Sequence, residues 1–170
     1  MVMRAVLAVK DMFLMAGNSQ VKTLLFMWKG DGSPLRYKVN IFGLISRTNQ
    51  CHWEMTEQNI ESQFVVNHLD NLSFKISKET FIILDNASVY QSKLLRENLD
   101  RWQKKGLFIF FLPTYSPHLN IAETMWRKLK TEWLYPEDYL EKDSLFYAIN
   151  RCMTNIGTNI KINFSDFNAN

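Results

Sequence analysis

Two short, continuous apolar runs, Thr80 to Leu84 and Leu107 to Leu112, dominate the hydrophobic pattern of this chain. β-Branched and aromatic residues fill both runs, which is typical of strands buried on both faces. Between them, apolar residues recur at helical spacing at Leu94, Leu95, Leu99 and Trp102. Gly106 follows where a helix would end. The pattern predicts strand, helix, strand, with parallel strands joined by a right-handed crossover.

Upstream of these runs the pattern predicts further strands. Tyr37 to Ser46 alternates apolar and polar residues, and Gln50 to Glu54 is a plausible antiparallel partner across the turn at 47–49. Leu24 to Lys29 is a shorter strand-like run. Residues 1–9 are typical of a strand or a short apolar helix. The chain is therefore expected to contain a hairpin before the parallel unit.

The remaining segments predict helices. Thr56 is expected to N-cap a helix that follows the hairpin, and Asn120 to cap another after the second buried run. Residues 138–156 are expected to form a last helix, and the polar tail from Asn159 is expected to be loose. This order of elements predicts a mixed α/β sheet with helices on its faces.

Composition and charge narrow the class only a little. A chain of 170 residues with 46% apolar residues is long enough for one domain with a real core. A net charge of +3 permits contact with nucleic acid without arguing for it. Cys51 and Cys152 lack metal-site spacing and indicate reduced thiols in a cytosolic protein. No apolar run reaches the roughly 20 residues that cross a bilayer, and the opening MVMRAVLAV favours a strand over a signal peptide.

Two carboxylates follow the buried runs. Asp85 comes directly after Leu84, at the end of a strand where open α/β sheets bind ligands, although Asp-Asn also commonly starts a turn. Glu123 lies three residues after Asn120, a spacing that suits both a helix cap and a functional acid. Paired acids in one crevice favour a hard divalent cation such as magnesium, and phosphodiester chemistry where basic residues lie nearby.

Basic residues accompany Glu123 on the predicted helix. Glu123, Arg127 and Lys130 are spaced i, i+4 and i+7, so they form a stripe beside the apolar face. The stripe is either a solvated salt-bridge face or a carboxylate flanked by cations that bind phosphate. The candidate phosphate contacts are Arg127, Lys128 and Lys130.

Two motifs in order, LDNASVY and then FLPTYSPHLNIAETMWRKLK, carry a family resemblance. They resemble the catalytic domain of bacterial insertion-sequence transposases related to the Tc/mariner group, in the DDE superfamily. In that family a hydrophobic strand ends in Asp-Asn-Ala, and a Leu-Pro-x-Tyr-Ser-Pro-x-Leu-Asn-x-x-Glu motif follows, with a Trp and a basic helix behind it. The resemblance covers roughly residues 24–160.

The resemblance implies a ribonuclease H-like fold, a mixed sheet of an antiparallel hairpin and parallel strands flanked by helices. It also implies a magnesium- or manganese-dependent endonuclease that cleaves DNA at the ends of an insertion element and transfers the strand. Asp85 and Glu123 would be the second and third catalytic, metal-binding carboxylates. The supporting motif positions are Asn86, Tyr115, Ser116, Pro117 and Asn120. Implied partners are double-stranded DNA and a second copy of the chain, at the nucleoid in the bacterial cytoplasm.

The first carboxylate is the main departure from the family. It should end an early strand as Asp-Glu, and counting back from Trp28 by the family's spacing reaches Leu14. Asp11 is the nearest acid and is the candidate for both the catalytic and the metal-binding role, although no Glu follows it. An absent first acid is the alternative. A second departure is Val89-Tyr90, where the family usually has a His.

The start of the chain also departs from the family. Residues 1–23 match poorly, and the family's N-terminal helix-turn-helix region is missing, so a single catalytic domain over 1–170 is expected, truncated or frameshifted. Three functions are open: a DDE transposase catalytic domain; an inactive remnant that keeps the fold and binds DNA weakly; and an unrelated ribonuclease H-like nuclease or small-molecule enzyme. The small-molecule enzyme is disfavoured because the chain has no glycine-rich phosphate loop.

Overall fold

The computed structural model describes residues 12–15, 22–25, 38–113 and 119–164, the first two segments and Lys38 by their backbone alone. Its strands are β1 (Met12–Met15), β2 (Lys22–Leu25), β3 (Lys38–Ser46), β4 (Cys51–Thr56), β5 (Thr80–Leu84) and β6 (Leu107–Phe111). Its α-helices are α1 (Ser62–Ser73), α2 (Lys93–Lys104), α3 (Ala122–Lys128) and α4 (Lys142–Asn155). A π-helical turn, Leu129–Trp133, continues α3. None of the described helices is long and apolar enough to cross a membrane.

These strands form one mixed sheet. β3 pairs antiparallel with β1, β2 and β4, whereas β1, β5 and β6 run parallel to one another, β5 lying between the other two. The hairpin of β3 and β4 and the parallel unit of β5, α2 and β6 are both confirmed. So is the predicted class, a mixed sheet flanked by helices.

Strand alternation divides the core into two clusters, one on each side of the sheet. In β3, Val39, Ile41 and Ile45 pack with α3 and α4, and Phe42 and Leu44 pack with α1 and α2. We call these sides the α3 face and the α1 face. Because side chains alternate every residue along a strand, each sheet face collects every second apolar residue.

β5 shows the same division. Ile82 and Leu84 are fully buried on the α1 face, and Ile83 packs on the α3 face. A continuous apolar run is needed here because both faces of this central strand are covered. β6 pairs with β5 in register from Leu107 to Phe111.

Gly106 ends the α2 segment as predicted, with a φ of 84° that suits glycine. The predicted cap at Thr56 is wrong. Thr56 is the last residue of β4, where it pairs with Asn40, and α1 begins only at Ser62. Pairing with β3 outweighs the capping tendency of the threonine, whose hydroxyl instead accepts a hydrogen bond from the backbone N–H of Gln58, at 3.1 Å.

The boundaries of other predicted elements shift. The last helix starts at Lys142 rather than at 138, because a 3-10 turn over Pro136–Tyr139 comes first. The predicted strand at 24–29 is seen as β2, which begins two residues earlier, at Lys22, and is described as far as Leu25. Residues 1–9 lie outside the described part of the chain.

The expectation of a loose tail from Asn159 is wrong as far as Phe164. Ile162 is 2% exposed and joins the core of the α3 face. Asn49 holds this segment: its Oδ1 accepts from the backbone N–H of Ile162 at 2.7 Å, and its Nδ2 donates to the Ile162 carbonyl at 3.1 Å. Asn49 has a φ of 63°, in the left-handed region that asparagine tolerates better than most residues.

We expect Asn49→Ala to destabilise the protein more than Asn49→Gly does. Both variants lose the two hydrogen bonds to Ile162, which costs about 1–3 kcal/mol, and alanine adds about 1–2 kcal/mol of left-handed strain. Urea unfolding of the three proteins measures both differences. Free energies of unfolding that agree within error would contradict this role for Asn49.

Candidate active site

Asp85 lies immediately beyond the carboxyl end of β5 and is 9% exposed. Its Oδ1 accepts a hydrogen bond from the backbone N–H of Ala87 at 3.0 Å, which turns the chain away from the sheet. Pairing with the neighbouring strand continues to this point, because the N–H of Leu112 donates to the carbonyl of Leu84 at 2.7 Å. Asp85 is therefore held at the edge where the parallel strands end.

Asn86 joins the ends of β5 and β6. Its Nδ2 donates to the carbonyl of Leu112 at 2.5 Å, and its Oδ1 accepts from Nε2 of Gln91 at 2.9 Å. Arg96 of α2 donates to Oε1 of Gln91 at 3.0 Å. This chain of side chains fixes the loop after Asp85 to the segment that leaves β6.

Tyr90 lies in the Val89-Tyr90 stretch, where the resemblance implies a His. It is 4% exposed, and its ring meets that of Phe42 edge to face, with centroids 6.4 Å apart. Burial, with a smaller contribution from the charge of Asp85, raises the pKa of the Tyr90 hydroxyl above its ordinary value. Tyr90 is thus a neutral core residue at neutral pH and does not replace the acid-base capacity of a histidine.

Glu123 lies in the first turn of α3. Its backbone N–H donates to the carbonyl of Asn120 at 3.1 Å, and Oδ1 of Asn120 accepts from the N–H of Ala122 at 3.2 Å. Asn120 is 5% exposed, so the start of the helix is anchored in the core. The predicted supporting position of Asn120 thus has a local structural basis, and Glu123 itself stays partly exposed.

Residues close in sequence to Asp85 and Glu123 pack on the same side of the sheet. Ile83 packs against the core cluster that contains Ala122 and Met125, which flank Glu123 in sequence. Asp85 follows Ile83 by two residues, one position beyond the end of β5, and we infer from strand alternation that it belongs to the α3 face as well. The packing therefore brings the end of β5 and the first turn of α3 to one face.

α3 rests on a glycine of the central hairpin. A Cβ added to Gly43 of β3 would lie 3.0 Å from Cη2 and 3.2 Å from Cζ2 of Trp126. Trp126 is 3% exposed and stands one helical turn after Glu123. The bare backbone of Gly43 thus sets how closely this part of α3 approaches the sheet.

The basic residues behind Glu123 lie on α3 and on the π-helical turn that continues it. Arg127 is exposed on α3, and Nζ of Lys128 pairs with Glu132 at 2.7 Å. Lys130 falls in the π-helical turn, where the N–H of Leu134 reaches the carbonyl of Leu129. The 3.6-residue spacing changes over Leu129–Trp133, because a π turn takes more residues.

The described residues do not by themselves fit a pair of divalent ions. In 38–113 and 119–164, with the two short backbone segments, no three His, Cys, Asp or Glu residues are grouped so as to hold a metal. Asp85 and Glu123 are two carboxylates, and two leave such ions underheld. The candidate Asp11 lies outside the described residues, as do Tyr115 and Ser116.

Comparison with known proteins defines the class. The family model of the DDE superfamily endonucleases matches residues 30–145. A search of curated proteins finds no match. One solved structure with the same fold comes from the intasome of simian T-cell lymphotropic virus in complex with PP2A regulatory subunit B56 gamma. The match has a TM-score of 0.57 and 11% sequence identity, and it covers 85% of this chain and 47% of that one. The chain thus spans about half the length of that protein.

Two structures of Mos1 transposase are also similar. Its paired-end complex with the left transposon end gives a TM-score of 0.47 at 12% identity, over 85% of this chain and 52% of that chain. The catalytic domain of Mos1 mariner transposase gives 0.48 at 11% identity, over 86% and 82%.

The described sheet and its flanking helices are those of a ribonuclease H-like α/β domain, as predicted. The chain belongs to the DDE superfamily of endonucleases. This confirms the resemblance at the level of the superfamily. Endonucleases of this superfamily generally use divalent metal ions.

Two features of the site were not predicted from the sequence. The bonds from Asn86 to Gln91 and on to Arg96 span strand, turn and helix, and no local pattern reveals them. The contact between Gly43 and Trp126 has a signal in the sequence, because a glycine inside a strand often marks the close approach of another group.

We expect Gly43→Ala and Trp126→Phe to be coupled. Each alone should destabilise the protein by about 1–3 kcal/mol, the first by crowding and the second by leaving a cavity. Together they should cost less than the sum, by about 1 kcal/mol, because phenylalanine removes the crowded atoms. Nε1 of Trp126 has no hydrogen-bond partner among the described residues. Removing the indole N–H therefore leaves none of these residues without a hydrogen-bond partner.

Denaturant unfolding of the four proteins measures this coupling. Additive losses would mean that the Gly43 backbone does not set the position of Trp126 on the sheet.

Proposed function

We propose that this chain is the catalytic domain of a transposase that cleaves DNA at the ends of an insertion element and joins the freed end to target DNA. The strongest support is the superfamily match, together with the packing of Ile83 and of α3 on one face of the sheet, next in sequence to Asp85 and Glu123. In this proposal both carboxylates are ligands of a divalent cation, magnesium or manganese. The bacterial cytoplasm, at the nucleoid, is the proposed location.

The proposed reaction consists of two phosphoryl transfers. The oxygen of water bonds to a phosphorus at the element end, the bond from that phosphorus to the 3′ oxygen breaks, and a 3′ hydroxyl is released. The oxygen of this hydroxyl then bonds to a target phosphorus and displaces a target 3′ oxygen, and the protons pass to solvent. Both steps would need a divalent cation beside the scissile phosphate, and we propose that Asp85 and Glu123 would hold it.

The proposed DNA contacts are Arg127, Lys128 and Lys130, on the segment that follows Glu123. Arg127 is exposed and carries its charge one turn from that carboxylate. Lys128 shares its charge with Glu132 at 2.7 Å. Arg127 should therefore contribute more to phosphate binding than Lys128 does.

A second candidate is a remnant that keeps the fold and binds DNA without cutting it. The observation that favours it is the pair, rather than trio, of acids at the site within the described residues. Two copies of the chain on paired DNA ends remain our proposal for the active assembly.

Asp85→Asn and Glu123→Gln should each abolish magnesium-dependent nicking of DNA that carries element ends, because each removes a ligand charge without changing side-chain size. Glu97→Gln is the matched control, on the exposed part of α2. Supercoiled plasmid relaxation measures nicking. Salt-dependent DNA binding without any cleavage would favour the remnant, and nicking that survives Asp85→Asn would contradict the proposed site.

Arg127→Ala should weaken DNA binding for all sequences alike and lower the slope of log affinity against log salt by about 1. Lys128→Ala should have a smaller effect, because Glu132 already neutralises part of its charge. Lys93→Ala, on α2, is the control for a loss of surface charge, since Lys93 also pairs with a glutamate four residues on. Equal slopes for all four proteins would exclude α3 from the DNA interface.

A further inference from the structure

β1 lies directly beside β5 and runs parallel to it. Met12 pairs with Phe81, and Leu14 pairs with Ile83. With strands about 4.8 Å apart and a rise of about 3.3 Å per residue, the Cα of position 14 lies about 8 Å from that of Asp85, and the Cα of position 12 about 14 Å away. Position 14 is therefore within the range from which a side chain can share an ion with Asp85.

Position 14 also belongs to the correct side of the sheet. Its two partners across the ladders are Ile83 of β5 and Ile45 of β3. Both isoleucines pack on the α3 face, to which strand alternation also assigns Asp85. Residues that are directly paired across a sheet share a face.

The geometry points to position 14 as the place from which this fold would supply the third carboxylate, so that leucine there leaves Asp85 and Glu123 as an incomplete ligand set. This inference rests on the proposed function. Leucine has no atom that binds a hard cation, and such cations need several oxygen ligands. The chain should therefore bind a divalent ion weakly and cleave slowly, and an aspartate at position 14 should correct both.

The residue that follows Asp11 lies at the opposite end of β5 from the site. Asp11 lies outside the described residues, but Met12, the next residue in the chain, is beside Phe81 at the amino end of β5. The site lies at the other end of that strand. After β1 the sequence contains no Asp or Glu until Asp31.

The test compares Leu14→Asp with Leu14→Asn in binding Mn²⁺, by isothermal titration calorimetry. The two side chains have nearly the same size, and only the aspartate adds a ligand charge. Leu14→Asp should bind Mn²⁺ about tenfold more tightly than the wild type or more, because affinity follows the count of charged ligands. Leu14→Asn should not, and Asp85→Asn in the Leu14→Asp background should remove the gain.

The melting temperature, measured with and without Mn²⁺, shows whether the variants fold and whether they bind the ion. Both substitutions put a polar group into a strand and should lower the melting temperature similarly, but Mn²⁺ should raise it only for Leu14→Asp, since ligands stabilise the state that binds them. If Leu14→Asp folds only with Mn²⁺ and Leu14→Asn does not respond, the inference is supported. If neither variant responds to Mn²⁺, it is overturned.

Two further outcomes separate this inference from the proposed function. If Asp11→Asn abolishes nicking by the wild type, Asp11 is the third ligand, so the inference fails and the proposed function stands. If Asp85→Asn changes neither Mn²⁺ binding nor nicking, the proposed function itself fails. The inference requires that Asp11→Asn leave both unchanged and that Leu14→Asp nick plasmid DNA faster than the wild type.

Discussion

Parallel pairing of β5 with its two neighbours is the constraint on which the site depends. Parallel strands end at the same sheet edge, so the turn after β5 and the segment after β6 must leave the sheet side by side. The bond from Asn86 to the carbonyl of Leu112 then ties these exits together. Asp85 is buried at that edge because the chain turns there, and α3 returns across the same face.

The α3 face carries both the packing and the proposed chemistry. Trp126 fixes α3 against Gly43, and Glu123 stands one turn earlier on the same helix. A change in the core of this face would therefore move a proposed ligand without touching it. Sites of this kind tolerate displacements of only about 0.5 Å. The packing of the α3 face thus determines the positions of the proposed ligands.

The parallel unit could be predicted from sequence because each of its signals is local. A continuous apolar run, a helical repeat and Gly106 each mark one element. The start of α1 could not be predicted in this way. It depends on the pairing of Thr56 with Asn40, which lies sixteen positions earlier in the chain. The packing of the segment around Ile162 depends on Asn49, more than a hundred residues earlier in the chain. The polar composition of this segment therefore led to the wrong prediction of a loose tail. The motifs pointed to Asp85 and Glu123, and the family's spacing pointed to position 14, but the proximity of position 14 to Asp85 depends on the register of β1 against β5.

Family membership does not by itself establish catalytic capacity. The superfamily match and the sheet follow from hydrophobic pattern and topology, which tolerate the loss of a single acid. Metal binding depends on the number of charged ligands at one point. A domain can therefore keep the fold of the DDE endonucleases while its ion affinity falls.

Paramagnetic broadening by Mn²⁺ in amide NMR spectra tests the shared site most directly, since it detects weak binding and reports distance from the ion. As Mn²⁺ is added, the amide signals of residues 85–87 and 121–124 should weaken together, before those of the exposed acids at 137–138. Broadening of one segment without the other, or of 137–138 first, would show that Asp85 and Glu123 do not hold a common ion.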